Sequence, residues 1–435
     1  MLLRPIFVRR AFRAALMVSA LFSASASWAQ SPESDERMAA PAMMFSPLTW
    51  SALAEPIFPV QGADGLYHLS YEFKLSNDLG TDISIDAVEV LDSRTHLPTG
   101  DNRVIAQDGL EITGKLRLLK VPSVDQTQLS TDFGTELDSG QGGIMYFDLT
   151  YPSIEAIPKR VVHRITVQYL LKGKQTNQSW TTEDRGIDVS TRPAARIRPP
   201  LEGEGWIDGN GAGPIISAHR YTAFPSNGKL HAMERFAIDF MKLDREGKTS
   251  TGDPNVLENY FGYGRNVHSA TNGRVVEARD GLPDQIPNGL GSLDKYEDFA
   301  GNHVIVAFEA GKYALYAHLK PGSVKVRKGE RIRAGQVLGQ LGNSGNTDGP
   351  HLHFQIMDTP SSLNTTALPF VFDHLVYQGH VPEAFDPAND GLTKGKAVQI
   401  DTGLAGWRVN QMPLSLDVVG FPQVPAGPHR AFPQD

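Results

Sequence analysis

The amino-acid sequence predicts a mainly β protein with two domains. Much of the 435-residue chain divides into short runs in which apolar and polar residues alternate. Glycine, proline, asparagine and aspartate punctuate these runs, as they do at turns between strands. A proline-rich stretch separates two series of such runs. Because 40% of the residues are hydrophobic, a chain of this length can build two or three packed cores.

The first series of runs, over residues 48–190, predicts a β-sandwich domain. Residues 66–75, 83–91 and 161–171 are the best examples, each bounded by turn-forming residues. Short strands at this spacing are typical of two-sheet sandwiches such as the immunoglobulin fold. No cluster of chemically reactive residues lies in this region, so we interpret it as a spacer or a binding module.

The second series begins after a predicted linker over residues 191–214. Its first part, residues 191–200, contains three prolines, at positions 193, 199 and 200, which favour an extended backbone. Strand-like runs return over residues 215–358 and define the second predicted domain, with a long loop over 280–300. Residues 359–435 are proline-rich, and we expect them to form a C-terminal appendage packed on that domain.

The N-terminus has the pattern of an export signal. Four arginines precede an apolar run over residues 14–22, and small residues lead to a cleavage site before Gln30. The run is shorter than the roughly 20 residues that a spanning helix needs. We therefore predict a signal peptide over residues 1–29, a disordered segment over 30–47, and export to the periplasm rather than to the medium. No membrane anchor is expected after cleavage.

Composition excludes several kinds of chemistry. The chain contains no cysteine, so disulfides, thiolate metal sites, cysteine nucleophiles and lipoprotein anchors are all excluded. The net charge of -8 argues against a nucleic-acid partner, because phosphate binding needs clustered lysine and arginine. A metal ion, if one is bound, must be held by histidine, aspartate or glutamate.

The sequence Gly349-Pro-His-Leu-His-Phe carries the strongest chemical signal. On a strand, residues i and i+2 point to one face about 6.6–6.8 Å apart, so His351 and His353 can converge on one centre. His318 ends another β run, and Asp239 lies in an otherwise apolar strand. A carboxylate there is costly unless it is paired, hydrogen-bonded or bound to a metal. Each of these residues alone is also compatible with a purely structural role.

Taken in order, these segments match one family. Phe236-Ala-Ile-Asp-Phe is followed by Gly273-Arg-Val-Val, Gly301-Asn-His-Val, Tyr316-Ala-His-Leu, a glycine-rich hairpin and the His-x-His motif. This order resembles the lysostaphin or LytM-type zinc peptidases of peptidase family M23. The resemblance covers about 140 residues and implies the family's β-sheet fold, a duplicated hybrid motif with a groove over an antiparallel sheet.

The resemblance also implies roles for individual residues. The family binds one zinc ion through a histidine, an aspartate and the second histidine of the His-x-His pair. On that pattern Asp239 and His353 are zinc ligands, while His318 and His351 flank the metal-bound water. The implied activity is hydrolysis of peptide bonds in peptidoglycan stems or cross-links, with peptidoglycan peptides as the substrate.

The sequence departs from the family at the first ligand position. Four residues before Asp239, where the family has a histidine, stands Arg235. A guanidinium has no lone pair for a metal, so it must point away if zinc binds. Our favoured third ligand is His231, which requires a turn such as that at Asn227-Gly228, because an extended chain would separate it from Asp239 by about 26 Å.

Two alternatives to that ligand set stay open. His219 or Glu234 can supply the third ligand, or zinc is held weakly or not at all. In the last case the domain is non-catalytic, and it binds peptidoglycan or regulates a cell-wall amidase through the same groove.

Overall fold

The structure is a computed structural model that describes residues 46–100, 115–119, 134–170, 173–213, 217–289, 293, 295–382 and 385–422. The predicted signal peptide over 1–29 and the segment immediately after it lie outside the described residues. Within the described parts of the chain, none of the helices has both the length and the apolar character that crossing a bilayer requires.

The N-terminal region consists of two antiparallel sheets. Its strands are β1 (Leu48–Ala52), β2 (Pro59–Gln61), β3 (Tyr67–Asn77), β4 (Ile83–Asp92), β5 (Lys115–Leu119), β6 (Glu136–Leu137), β7 (Gly142–Tyr151), β8 (Arg160–Tyr169), β9 (Gln178–Glu183) and β10 (Ile187–Asp188), with a 3-10 helix at Ile154–Ala156. One sheet has the order β1-β3-β7-β5 with β2 beside β3, and the other has β10-β8-β4-β6 with β9 beside β8.

These two sheets share one hydrophobic core. Tyr71 and Phe147 of the first sheet pack with Ile85 and Ile165 of the second. The period-two alternation of the strands therefore buries one face of each sheet in this shared core. We call these two sheets the N-terminal sandwich.

The remainder of the chain is organised around a large sheet. Its elements are β11 (Ala195–Ile197), β12 (Gly203–Asp208), α1 (Ala218–Tyr221), β13 (Ala223–Ser226), β14 (Lys229–Ala232), β15 (Ile238–Lys242), β16 (Asn266–His268), β17 (Gly273–Arg279), β18 (Asn302–Glu309), β19 (Lys312–Leu319), β20 (Arg331–Ile332), β21 (Val337–Gln340), β22 (Leu352–Met357), β23 (Ala367–Leu368), β24 (Phe370–Phe372), β25 (Leu375–His380), α2 (Phe385–Thr393), β26 (Gly406–Arg408) and β27 (Asp417–Phe421), with 3-10 helices at Leu257–Asn259 and Tyr296–Asp298.

The large sheet has eleven strands in the order β20-β17-β18-β19-β22-β15-β12-β27-β25-β26, with β23 beside β22. β12 comes from the segment expected to be a linker, and β25, β26 and β27 come from the expected C-terminal appendage. Both segments contribute strands to the same sheet, because their apolar residues, such as Trp206 and Val419, join its core.

Candidate metal centre

Two strands at the middle of the large sheet bring Asp239 and His353 together. β15 and β22 pair antiparallel, and Asp239 lies directly opposite His353. Residues directly opposite each other on antiparallel strands share a face of the sheet. Their chain neighbours, such as Phe240 and Phe354, point to the other face and belong to the main hydrophobic core.

The same alternation adds two more polar side chains to this face. His351 and Gln355 lie two residues before and after His353, whereas Leu352 and Ile356 join the core on the opposite side. The predicted convergence of the two motif histidines therefore follows from the strand period. Gln355, only 1% exposed, belongs to the site although we had not singled it out in the sequence.

A β-bulge brings His318 to the site. β18 and β19 pair Asn302 with Leu319 and then Val304 with Tyr316, so two residues of β19 face one residue of β18. His318 is the second of these two and has a φ of 60°, a backbone conformation that non-glycine residues adopt rarely. The bulge re-aims the side chain, and the His318 ring centroid lies 4.8 Å from that of His351.

The Asp239 carboxylate contacts three histidines of the cluster. Its Oδ1 lies 2.9 Å from His353 Nδ1 and 3.3 Å from His351 Nε2. Its Oδ2 lies 3.2 Å from His219 Nε2 and accepts a 2.8 Å hydrogen bond from the Asn210 side chain. The carboxylate is buried, and so are the three histidines around it.

Each histidine is oriented by a hydrogen bond from its outer nitrogen. His351 Nδ1 lies 2.8 Å from the Gly349 carbonyl, and His318 Nδ1 lies 2.7 Å from the Ser344 carbonyl. His219 Nδ1 lies 3.2 Å from the Ala237 carbonyl. A carbonyl accepts only, so each outer nitrogen donates, and in the neutral ring the inner nitrogen keeps a lone pair.

Gln355 fixes His353 in the same way. The Gln355 amide nitrogen donates to the Met233 carbonyl at 3.0 Å, which leaves its oxygen facing His353 Nε2 at 2.8 Å. His353 therefore donates from Nε2, and Nδ1 faces the Asp239 carboxylate. The lone pair of His353 Nδ1 and the Asp239 carboxylate, 2.9 Å apart, repel each other unless a proton or a metal cation lies between them. A hydrogen-bond acceptor on the nitrogen that faces away from the site, as Gln355 provides for His353, is typical of metal-ligating histidines.

The ionisation of the cluster reflects these contacts. Burial lowers the pKa of His219, but the Asp239 carboxylate outweighs it and raises that pKa to about 9. Although burial opposes it, contact with His219 and His351 holds the pKa of Asp239 well below its usual range. Burial together with His351 and His353 lowers the pKa of His318 well below its ordinary value, so this ring is neutral at pH 7.

His219 enters the site from α1, a single helical turn. Ser217 caps this turn by accepting a hydrogen bond from the Arg220 backbone. The His219 and His353 ring centroids are 4.9 Å apart, and Glu234 lies beside both rings. His219 was one of the two alternatives for the third ligand.

Two groups in the described residues have donor atoms that all lie within 4.8 Å of one another. One is His318, His351 and His353, and the other is His219, Glu234 and His353. Together with Asp239, the first group offers three imidazoles and one carboxylate, and the second offers two imidazoles and two carboxylates. This donor set matches open catalytic zinc sites, which use three nitrogen or oxygen ligands.

The structure does not bring His231, our favoured third ligand, into either group. It lies on β14, in the hairpin with β13, opposite Phe224. The chain does turn at Asn227 and Gly228, which both have positive φ, but this turn closes the hairpin instead of returning His231 to Asp239. His219 lies where the third ligand was expected. A hydrogen bond to the carbonyl of Ala237, eighteen residues later in the chain, fixes its ring there.

Arg235 engages a carboxylate from the N-terminal sandwich. Its Nε donates to both oxygens of Glu72, at 3.0 and 2.8 Å, and its Nη2 also contacts that carboxylate. Arg220 donates from Nη1 to Glu72 at 2.7 Å. The cation at the family's ligand position is therefore neutralised by a residue 163 positions away.

A narrow groove opens beside Asp239 and His351. Its facing wall includes Asn389 and Thr393 of α2. Tyr260 also lines it, and the Tyr260 hydroxyl lies 3.2 Å from the Thr393 carbonyl. The C-terminal helix α2 therefore forms one side of this groove.

Comparison with known proteins identifies a family model that matches part of the chain. Residues 260–365 match the family model described as Peptidase family M23. This range includes His318, His351 and His353 and begins after Asp239.

Curated relatives match over short stretches of the chain. The chain is 36% identical over 70 residues to the peptidoglycan DD-endopeptidase ShyC of Vibrio cholerae, which is 16% of each chain. It is 46% identical over 57 residues to the glycyl-glycine endopeptidase ALE-1 of Staphylococcus capitis, covering 13% of this chain and 15% of the relative. The cell division protein DipM of Caulobacter vibrioides is 33% identical over 95 residues, covering 20% and 15%. The chain thus spans about a sixth of the length of these relatives.

The comparison with solved structures matches the catalytic domain of lysostaphin from Staphylococcus simulans, at 21% identity and a TM-score of 0.21, covering 38% of this chain and 88% of that one. A putative peptidase M23 from Pseudomonas aeruginosa has 13% identity and a TM-score of 0.21, covering 64% and 89%. The matched family model and the endopeptidase relatives agree with the order of the motifs: residues 260–365 match peptidase family M23, and the domain that contains them resembles the LytM-type peptidases.

Proposed function

We propose that the protein is a zinc-dependent endopeptidase that hydrolyses peptide bonds in peptidoglycan stems or cross-links. The observation that carries the proposal is the set of imidazole nitrogens aimed at one buried carboxylate, Asp239, each fixed by a hydrogen bond on its outer side. The endopeptidase names of the matching relatives support the substrate class.

Asp239, His353 and His219 would hold the zinc ion, with Glu234 next to them. When bound, zinc polarises a peptide carbonyl and lowers the pKa of a water molecule. These three residues supply two imidazoles and one carboxylate, the ligand set of several open catalytic sites. His231 plays no part in this proposal.

His318 and His351 supply the proton chemistry. His318 is neutral and donates from Nδ1 to Ser344, so Nε2 can accept a proton from the attacking water as a general base. His351 donates from Nδ1 to Gly349, so its Nε2, when protonated, can donate to the oxygen that becomes negative as the carbonyl is attacked. The bulge at His318 sets the two rings side by side.

The test is hydrolysis of purified peptidoglycan by the purified protein, with zinc content measured on the same sample. We expect stoichiometric zinc and release of soluble peptide fragments. His318→Ala should keep its zinc and lose activity by roughly 10²–10⁴-fold, the usual contribution of a general base. His268→Ala, on β16 away from the cluster, is the matched control and should stay active. Full activity in His318→Ala would contradict the mechanism.

A second candidate function rests on Arg235. Arg235 occupies the position at which the family has a metal ligand, and its guanidinium pairs with Glu72. If the purified protein contains no zinc and cleaves nothing yet still binds peptidoglycan or a cell-wall amidase, the domain is a non-catalytic recognition module. Stoichiometric zinc that is lost on Asp239→Ala would exclude this alternative.

We also propose that the protein acts in the periplasm after export. The motivation is the N-terminal pattern of arginines, apolar residues and small residues that ends before Gln30. Cell fractionation with N-terminal sequencing of the mature protein checks this. Recovery from the cytoplasm with residues 1–29 intact would contradict it.

A further inference from the structure

A single buried carboxylate links the N-terminal sandwich to the metal centre. Glu72 lies on β3 and is 1% exposed. It accepts hydrogen bonds from both Arg220 and Arg235, whose side chains are also almost completely buried. Isolated buried charges are very costly, so the three side chains are stable only together.

Both arginines sit next to residues of the metal cluster. Arg220 follows His219 in α1, and Arg235 follows Glu234 and precedes Asp239 by four residues. Through its single carboxylate, Glu72 therefore binds both of the chain segments that deliver donor groups to the site. Neither segment has a strand partner in the large sheet: α1 is one turn long, and residue 235 lies in the turn before β15.

Further contacts hold the same segments against the sandwich. Arg220 Nη2 donates to the Phe147 carbonyl of β7 at 3.0 Å. Ile144 and Tyr146, on the outer face of β7, pack against Ala223, and Leu230 joins this apolar cluster. The segment over residues 217–235 thus lies between the sandwich and the metal cluster, and its position depends on both.

We propose that Glu72 is a positioning residue for the metal site, so that zinc affinity depends on the docking of the N-terminal sandwich. This inference rests on the proposed zinc site. Glu72 touches neither the metal donors nor the groove; it acts through Arg220 and Arg235 on the segments that carry His219 and Glu234. By linkage, zinc binding must stabilise the docked sandwich to the same degree.

The experiment compares the full chain with its Glu72→Gln variant. The zinc dissociation constant is measured by competition with a chromogenic chelator. Because Glu72 acts on the ligands only through the two arginines, we expect the variant to bind zinc about tenfold more weakly, the lower end of the 10–100-fold loss seen when direct outer partners of metal ligands are removed. Saturating zinc should restore its peptidase activity, which a collapsed active site would not allow.

Two further variants keep the test decisive if Glu72→Gln folds poorly. Arg235→Lys keeps the charge but loses the two-point contact with Glu72, so it should also weaken zinc binding, by a smaller factor. Ile165→Ala lies in the sandwich core on β8, away from the cluster. It is the matched control, and it should lower the unfolding temperature yet leave zinc affinity within about twofold of the wild type.

The outcomes separate this inference from the proposed function. Zinc binding by the wild type with unchanged affinity in a folded Glu72→Gln or Arg235→Lys variant would overturn the positioning role alone. Absence of zinc binding by the wild type would overturn both. A second readout is amide hydrogen exchange in β3 and β7, which zinc should slow in the wild type. Unchanged exchange on adding zinc would also overturn the positioning role.

Discussion

Gln355 offers a direct test of how the metal centre is held in place. The proposed change is Gln355→Met, which keeps an unbranched side chain of similar length and removes both hydrogen bonds. It leaves the Nε2–H of His353 and the carbonyl of Met233 without their partners, at a position that is 1% exposed. Each buried unpaired group costs about 1–3 kcal/mol, so the free energy of unfolding should fall by about 2–6 kcal/mol.

The same change should weaken zinc binding. His353 loses the acceptor that fixes its tautomer and orientation, and loss of such a partner costs about 10–100-fold in metal affinity. Chelator competition measures this, with thermal unfolding of the metal-free protein alongside. Gln340→Met, on partly exposed β21, is the matched control. Gln355→Glu keeps an acceptor toward His353 and should retain more affinity than Gln355→Met.

A zinc dissociation constant for Gln355→Met within about twofold of the wild type would refute this reasoning. It would mean that the His353 ring keeps its orientation without the amide, or that His353 is not a ligand. A Gln355→Met variant with normal unfolding would show in addition that the two hydrogen bonds contribute nothing measurable to the fold.

Three other changes test separate parts of the site. His219→Ala should abolish stoichiometric zinc binding, whereas His231→Ala should retain it; the reverse result would restore the ligand favoured from the sequence. The pKa of His219 is raised from 6.5 to about 9, so its stabilising charge is present below pH 6.5 and lost as pH rises to 9. The metal-free protein should lose about 3 kcal/mol of unfolding free energy over that window. A His219→Gln variant with the same slope in urea titrations would contradict this. Gly301→Ala would bring Cβ into overlap with the Ser344 carbonyl that orients His318, the general base of the proposed mechanism. It should lose at least tenfold in activity with zinc retained, while Gly311→Ala, which meets nothing within 4 Å, should lose little; equal losses would exclude the contact as the cause.

The sequence predicted those parts of the site that follow from strand periodicity. His351 and His353 share a face because they are two residues apart on one strand, and the same rule could have identified Gln355. Asp239 was identified because a carboxylate in an apolar strand needs a partner. Each of these inferences uses local geometry that a single strand determines.

The parts that could not be predicted depend on tertiary contacts. The position of His318 requires a bulge, and a bulge is defined by the register of two strands. His219 reaches the cluster through a short helix held by side chains far away in the chain. The sequence predicted that Arg235 points away from a bound metal. It did not predict the partner of Arg235, because Glu72 belongs to another domain and nothing in the local sequence indicates that pairing.

The course of the chain through the large sheet decides how the protein can be trimmed. β15, which carries Asp239, lies between β22 and β12, and β12 in turn pairs with β27 near the C-terminal end of the described residues. A fragment cut to the family match, residues 260–365, would lack the aspartate and leave an unpaired, apolar strand edge that promotes aggregation. We expect the shortest soluble unit with a complete cluster to extend from about residue 195 to residue 422, so failure of a shorter piece to hydrolyse peptidoglycan would say nothing about the intact protein.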